Sequence, residues 1–253
     1  MLKIFISGCN GHMGKVVAQV CREAGDVEIA GGFDLMGAEN GEFPVWSSPA
    51  ECTAAADALI DFSSPAALPA LLEFGVDRGL PLVLATTGYD QSQLEAIDRA
   101  AAQIPIFRSG NMSLGINVLM NLVTRAAAAL GDSFDVEIVE RHHNRKVDAP
   151  SGTALMLAAA AEEGLPYSCE YVYDRHGVRR PRAPHEIGIS SVRGGNIVGD
   201  HEVIFAGRDE IIELKHSAMS REVFASGALR AARFLVKKAP GLYSMKELVD
   251  DVI

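Results

Sequence analysis

The chain predicts an α/β protein: a doubly wound parallel sheet, then a second α+β domain built on a mixed sheet. Short apolar runs alternate with helix-forming ones through the first hundred residues, which is the pattern of repeated strand–helix–strand units. A glycine-rich turn interrupts the first of these units. From about residue 186 the alternation stops, and strand-like runs follow one another across Gly-rich turns. At 253 residues and 48% hydrophobic composition, the chain can build one large core or two smaller ones.

Leu2 to Ser7 reads as a buried strand, short and apolar. Gly8-Cys9-Asn10-Gly11-His12-Met13-Gly14 follows, then a helix from Lys15 to Ala24 with apolar spacing at Val16, Val17, Val20 and Cys21. A second strand, Val27 to Phe33, ends in Asp34. Strand, glycine turn, helix, strand and acidic residue make a Rossmann-type dinucleotide site. Gly8 permits the tight turn, Gly11 lets backbone approach a pyrophosphate, and Gly14 lets helix and strand pack closely. The spacing is G-x-x-G-x-x-G rather than G-x-G-x-x-G, so its placement carries more weight than the triplet itself. Asp34 is expected to accept hydrogen bonds from the adenosine ribose. Leu35 and Met36 follow it, with no Arg to meet a 2′-phosphate, and His12 is the one nearby group that could help. NADH is therefore expected to serve at least as well as NADPH.

The pattern then repeats. Ala58 to Phe62 is a strand, and Ser63-Ser64-Pro65 leads into a helix ending at Arg78. Leu82 to Ala85 is a strand, then Thr86-Thr87-Gly88 and a helix from about Asp90 to Ala102. Ile104 to Phe107 is a strand, followed by Ser109-Gly110-Asn111-Met112-Ser113. Ligands of such sheets lie outside the carboxyl ends of the strands. Phe62, Ser63, Ala85, Thr86, Thr87, Ser109, Gly110, Asn111 and Met112 sit at those ends and are expected to line the nicotinamide side.

Ser113 caps a helix reaching Leu130, and Asp135 to Arg141 is the next strand. Residues 164–185 read as an irregular loop holding one short strand at Tyr171 to Tyr173. Glu186 to Arg193, Val198 to Ala206 and Glu210 to Ser217 are strands, and a last helix runs from about Arg221 to Lys237. The domains are thus 1–113, completed by the C-terminal stretch 221–253, for the dinucleotide, and 114–220 for substrate binding and oligomerisation.

Between these lies residues 137–157, around which the chain is organised. An apolar strand feeds the polar cluster Arg141, His142, His143, Arg145, Lys146 and Asp148. Pro150-Ser151-Gly152-Thr153 and a run of good helix formers come next. Backbone N–H groups at a helix start, unobstructed at Gly152, make a seat for an anion. Two imidazoles and a lysine beside that seat are groups that move protons. A solvated basic loop ending in an ordinary cap is the plain alternative. A zinc site at His142 and His143 is weaker, because neighbouring residues on a strand face opposite ways and no familiar ligand spacing completes it. No metal is expected.

The net charge of −10 argues against a general nucleic-acid partner. Residues 1–107 hold five Lys+Arg against fourteen Asp+Glu, whereas 141–193 hold eight Lys+Arg and four of the seven histidines. The second region therefore suits a small anionic ligand. No run reads as a membrane span, and Cys9, Cys21, Cys52 and Cys169 lack CxxC spacing, so a reduced cytoplasmic protein without a membrane partner is expected.

Glu140-Arg141-His142-His143-Asn144-Arg145-Lys146-Val147-Asp148-Ala149-Pro150-Ser151-Gly152-Thr153-Ala154 resembles the E-x-H-H-x-x-K-x-D-A-P-S-G-T-A motif of the dihydrodipicolinate reductases (4-hydroxy-tetrahydrodipicolinate reductases) of lysine and diaminopimelate biosynthesis. The resemblance covers nearly the whole chain. Gly8 to Gly14 matches that family's G-x-x-G-x-M-G, Thr86-Thr87-Gly88 the later part of G-T-T-G with Ala85 for its first Gly, and Asn111 to Asn117 its N-x-S-x-G-x-N. The resemblance implies hydride transfer from NAD(P)H to a cyclic unsaturated dicarboxylate. It implies that His142 and Lys146 handle the proton, and that His143, Lys146, Ser151, Gly152 and Thr153 hold the substrate. It implies a homotetramer formed through the second domain's sheet. His12 and Leu35 stand where many members carry Arg, and Met112 where many carry Phe, which bears on coenzyme choice. Two other readings compete: an NADH-binding sensor without turnover, and a two-domain dehydrogenase for another small acid. Both His142 and Lys146 argue against the sensor, which needs no proton donor.

Overall fold

The computed structural model describes residues 1–37 and 41–251; Val252 and Ile253, the end of the C-terminal stretch, lie outside the described residues. The elements, in chain order, are β1 (Leu2–Ser7), α1 (His12–Ala24), β2 (Val27–Phe33), β3 (Val45–Trp46), β4 (Ala58–Asp61), α2 (Leu68–Arg78), β5 (Leu82–Leu84), α3 (Gln91–Ala101) and β6 (Pro105–Arg108). Then come α4 (Leu114–Leu130), β7 (Asp135–His142), α5 (Gly152–Gly164), β8 (Glu170–Val172), β9 (Glu186–Arg193), β10 (Gly199–Ala206), β11 (Ile211–Ala218), α6 (Glu222–Leu235), β12 (Gly241–Tyr243) and α7 (Met245–Asp250). They divide into two compact units, Met1–Leu114 with Arg221–Ile253, and Gly115–Ser220.

The first unit holds a seven-stranded sheet in the order β12-β6-β5-β4-β1-β2-β3, with every pairing parallel. Its central strands are buried on both faces, which is why they read as unbroken apolar runs rather than alternating ones. One face packs Ile4, Ile6 and Ile60 against α1 and α6 through Val17, Leu229 and Phe234. The other packs Phe5, Leu59 and Leu82 against α2 and α3 through Leu71, Phe74 and Ile97. Helix α3 begins in a reciprocal capping box between Asp90 and Gln93. Helix α2 is preceded by a single 3-10 turn at Pro65–Ala67, so it starts later than the proline suggested. The helix read as last is followed by β12 and α7, and β12 adds an edge strand beside β6.

The second unit holds a mixed five-stranded sheet in the order β11-β10-β7-β9-β8. Alternation is clean on β7 and β10: Val136, Ile138, Val203 and Phe205 are buried against α4 and α5, through Leu119, Val123, Leu157 and Ala161. Residues 114–133 do form a helical stretch long and apolar enough to span a membrane by length and composition, which corrects the sequence reading. Its Ile116, Leu119, Val123 and Ala127 are part of this core. The loop before β9 is pinned rather than loose: Arg175 and Arg182 both reach Glu137 on β7, and Arg182 also pairs with Asp135 at 2.7 Å.

Candidate functional site

The glycine turn in the first unit is shaped by contacts that a side chain would destroy. Gly8 has φ +74°, and a Cβ there would lie 2.8 Å from the Phe62 carbonyl oxygen. A Cβ on Gly14 would lie 2.1 Å from the Gly8 carbonyl oxygen, so α1 rests directly on the turn. Helix α1 starts at Gly11 with no side-chain cap and no acidic residue in its first turn. That leaves first-turn N–H groups and the positive end of the helix dipole for an anion. This cradle fits a pyrophosphate. Asp34, just past β2, is oriented by two backbone donors: Asn10 N–H to Oδ2 at 3.1 Å and Met36 N–H to Oδ1 at 3.2 Å. Asn10 also donates its side-chain amide to the Gly37 carbonyl at 2.7 Å. His12, Leu35 and Met36 are exposed beside these groups.

The strand-end residues divide. Ser63, Thr87 and Gly110 are exposed, and Phe62, Ala85 and Ser109 are half-buried. Ser109 Oγ donates to the Asn111 carbonyl at 2.8 Å, and Asn111 Oδ1 accepts from Ser113 N–H at 2.8 Å. Cys9 and Met112 are only 3% and 2% exposed, with side chains in the hydrophobic core. Their side chains point into that core, so only their backbone groups lie open at the turns. Met13 also leans on that core, and Thr86 and Asn111 are nearly buried.

In the second unit the basic cluster is split by the strand. Glu140 and His142 share the buried face of β7, whereas Arg141 lies on the other face, paired with Glu202 at 2.9 Å. Glu140 is fully buried. Its carboxylate accepts from Arg193 through both terminal nitrogens at 2.7 Å, from Ser151 N–H at 3.1 Å, and from His142 Nδ1 at 2.6 Å. Burial alone would raise its pKa; the hydrogen bonds from Arg193, His142 and Ser191 outweigh burial and hold it down at about 2. An ionised carboxylate only accepts, so His142 carries its proton on Nδ1 and keeps Nε2 for other work. Gly199 leaves room for that nitrogen, because a Cβ there would sit 3.0 Å from it.

Ser151 caps α5, its Oγ accepting from Ala154 N–H at 3.1 Å and lying 2.9 Å from His201 Nε2. Burial first, then the neighbouring His142, lowers the His201 pKa to about 4, so the neutral ring accepts the Ser151 hydroxyl proton. Ser151 thus has its groups committed inside the protein and shapes the helix start. Gly152 and Thr153 begin α5, whose first turn holds no acid, and nothing stands within 4 Å of a Cβ built at Gly152. N–H groups at such a helix start can receive an anion. Lys146 Nζ lies 2.8 Å from Asp148 Oδ1, and this hydrogen bond holds the Asp148 carboxyl below the usual range. The segment from His143 to Asp148 is fastened to the turn after β9: Asn144 N–H to Gly195 O at 3.3 Å, Arg145 to Asn196 at 3.1 Å, and Arg193 to Asp148 O at 2.7 Å. That helix start, Lys146 and His142 are therefore linked through one buried carboxylate and one arginine. Glu140, Arg193, Gly199 and His201 were not singled out as site residues from sequence. Glu140 could have been, since it sits two positions before His142 on the same strand face.

The family model described as "Dihydrodipicolinate reductase, N-terminus" matches residues 2–112, and its C-terminal counterpart matches residues 115–249. A 4-hydroxy-tetrahydrodipicolinate reductase of Caldanaerobacter subterraneus subsp. tengcongensis is 52% identical over 98% of each chain. One from Caulobacter vibrioides is 49% identical over 98% of this chain and 97% of its own. Among solved structures, a dipicolinate-bound dihydrodipicolinate reductase of Paenisporosarcina sp. TG-14 superposes with a TM-score of 0.80 at 24% identity, over 96% of this chain and 97% of that one. At that identity the likeness speaks for the fold.

Proposed function

Because the chain belongs to the dihydrodipicolinate reductase family, we propose that its two sites divide one reaction between them, coenzyme on the first unit and substrate on the second. It is an oxidoreductase that uses a pyridine nucleotide to reduce 4-hydroxy-tetrahydrodipicolinate to tetrahydrodipicolinate in lysine and diaminopimelate biosynthesis. When bound, the reduced nicotinamide supplies the hydride. Gly8 and Gly11, with the start of α1, hold the pyrophosphate, Asp34 holds the adenosine ribose, and Phe62, Ser63, Ala85, Thr86, Thr87 and the 109–112 turn face the nicotinamide.

Loss of the 4-hydroxyl and a neighbouring proton as water gives a conjugated C=C–C=N system; hydride then adds to the carbon that carried the hydroxyl, and the displaced electron pair settles on a neighbouring atom, which must take a proton. Lys146 or His142 gives it. Glu140 supports this step by keeping His142 in one tautomer and one orientation. One substrate carboxylate sits at Gly152 and Thr153, with His143 and Lys146 neutralising charge. The single observation that carries this reading is the buried Glu140–Arg193 pair, which holds both the imidazole and the helix start.

NADH serves at least as well as NADPH, since Leu35 and Met36 give a 2′-phosphate no cation. The working form is a homotetramer made through the second unit's sheet, in the cytoplasm, where free thiols such as those of Cys9, Cys21, Cys52 and Cys169 persist. The test is oxidation of each coenzyme in a coupled assay, with dihydrodipicolinate synthase making the substrate and Lys146→Ala as control. Oxidation that vanishes in Lys146→Ala supports the reading. Turnover that survives in that variant removes the proton role from Lys146.

A further inference from the structure

The carboxylate of Asp61 is fully buried at the carboxyl end of β4, yet it belongs to neither the coenzyme cradle nor the proton-handling group. Its Oδ1 accepts twice from Ser63, from the backbone N–H at 3.1 Å and from Oγ at 2.5 Å. Its Oδ2 accepts from the Tyr89 hydroxyl at 3.5 Å. Burial, and then the charge of Asp61, raise the Tyr89 pKa, so the phenol keeps the proton it donates. The Asp61 carbonyl accepts from Ala85 N–H at 3.0 Å. One residue therefore ties two strand-end turns, Phe62–Ser63 and Ala85–Thr87.

The first of those turns abuts the glycine turn. Phe62 N–H donates to the Ser7 carbonyl at 3.1 Å, and the Phe62 carbonyl and Ser63 Cα are the atoms a Gly8 side chain would strike. A short bond from a buried carboxylate to an exposed serine fixes an otherwise free surface turn. A buried carboxyl group is costly unless its oxygens are hydrogen-bonded, and those of Asp61 take their bonds from the Ser63 and Tyr89 side chains and the Ser63 N–H.

We propose that Asp61 is a positioning residue for the nicotinamide half of the coenzyme, acting through Ser63 and Tyr89 on the two turns that face that ring. This rests on the reading that those turns line the nicotinamide. The adenosine ribose is held at Asp34, past β2, two strands away from β4 in the sheet.

ADP-ribose, which lacks the nicotinamide, separates the two halves. Affinities for NADH and ADP-ribose would be measured by calorimetry on wild type, Asp61→Ala, Asp61→Asn and Ser63→Ala. Asp61→Ala is expected to weaken NADH about tenfold, Ser63→Ala severalfold, and both to leave ADP-ribose unchanged. Asp61→Asn keeps an acceptor for Ser63 and restores most of the NADH affinity. Equal loss for both ligands in Ser63→Ala and Asp61→Ala, or no loss for NADH, overturns the proposal. Thr87→Trp distinguishes the cause of failure. If that bulky substitution selectively weakens NADH while the Asp61 variants do not, the turns line the ring and Asp61 does not position them. If Thr87→Trp is also silent, the lining itself is wrong.

Discussion

A buried carboxylate that must stay ionised is the most demanding single residue in the second unit. Glu140 makes its charge tolerable with a two-pronged arginine and an imidazole N–H. Glu140→Gln keeps the shape and removes the charge. It is expected to lower kcat by about tenfold to a hundredfold, less than the roughly 10²–10⁴-fold that a proton-transfer group itself contributes, with the KM for NADH unchanged. Steady-state kinetics below the melting temperature check this, and an unaltered kcat would show that His142 does not depend on its partner. His201 gives a second test, on stability. Its folded pKa of about 4 lies below the ordinary 6.5, so the unfolded chain binds more protons between those values. The stability conferred by the neutral ring is complete above pH 6.5 and is lost as pH falls toward 4, by roughly 3 kcal/mol across the window. Denaturant unfolding from pH 7 to 4.5 should show this slope in wild type and a shallower one in His201→Gln. The Glu140 contribution begins to fade only below 4.5, its ordinary value, so it does not confuse that interval.

At the scale of elements, close approach decides more than propensity. Helix α6 returns to the first unit and lies against the 109–112 turn, where a Cβ on Gly227 would come within 1.6 Å of the Met112 carbonyl oxygen. Gly227→Ala improves helix propensity by about 1 kcal/mol but forces backbone apart. The clash should dominate, lowering stability by about 1–3 kcal/mol in urea unfolding, and a more stable variant would refute that packing. These features also show what the sequence could and could not reveal. The glycine turn was legible because strand, turn and helix are contiguous and each glycine has a local steric reason. The helix start at Ser151 to Thr153 was legible for the same reason. Arg193 was not, because it meets Glu140 only through the parallel pairing of β7 with β9, where His142 stands opposite Arg193. Strand β12 was missed because three residues carry no measurable period. The inward turn of the Cys9 and Met112 side chains was not legible either, because which way a side chain turns at a strand end depends on the helix packed behind it.

For the whole molecule, the open question is what covers the second sheet. Its inner face meets α4 and α5, while the alternate residues form an outer face: Val139, Glu202 and Lys215 in one register row, and Glu137, Ile204 and Glu213 in another. Val192 and Ile211 on that side are 44% and 64% exposed. Apolar side chains interleaved with ion pairs such as Arg141–Glu202 suit a face that meets a copy of itself, and closed symmetry makes such a contact self-complementary. The proposed tetramer predicts a solution mass of about four chains of 27.0 kDa by light scattering. Ile204→Asp places a third carboxylate in register between Glu213 and Glu137, the latter already met by Arg175 and Arg182. Like charges side by side on a sheet repel, and across a symmetric contact each meets further copies, so the variant should fall to smaller species while its circular dichroism stays the same. A wild-type protein that runs as a monomer at micromolar concentration would refute the tetramer. A variant that remains four chains would move the interface away from the Ile204 row.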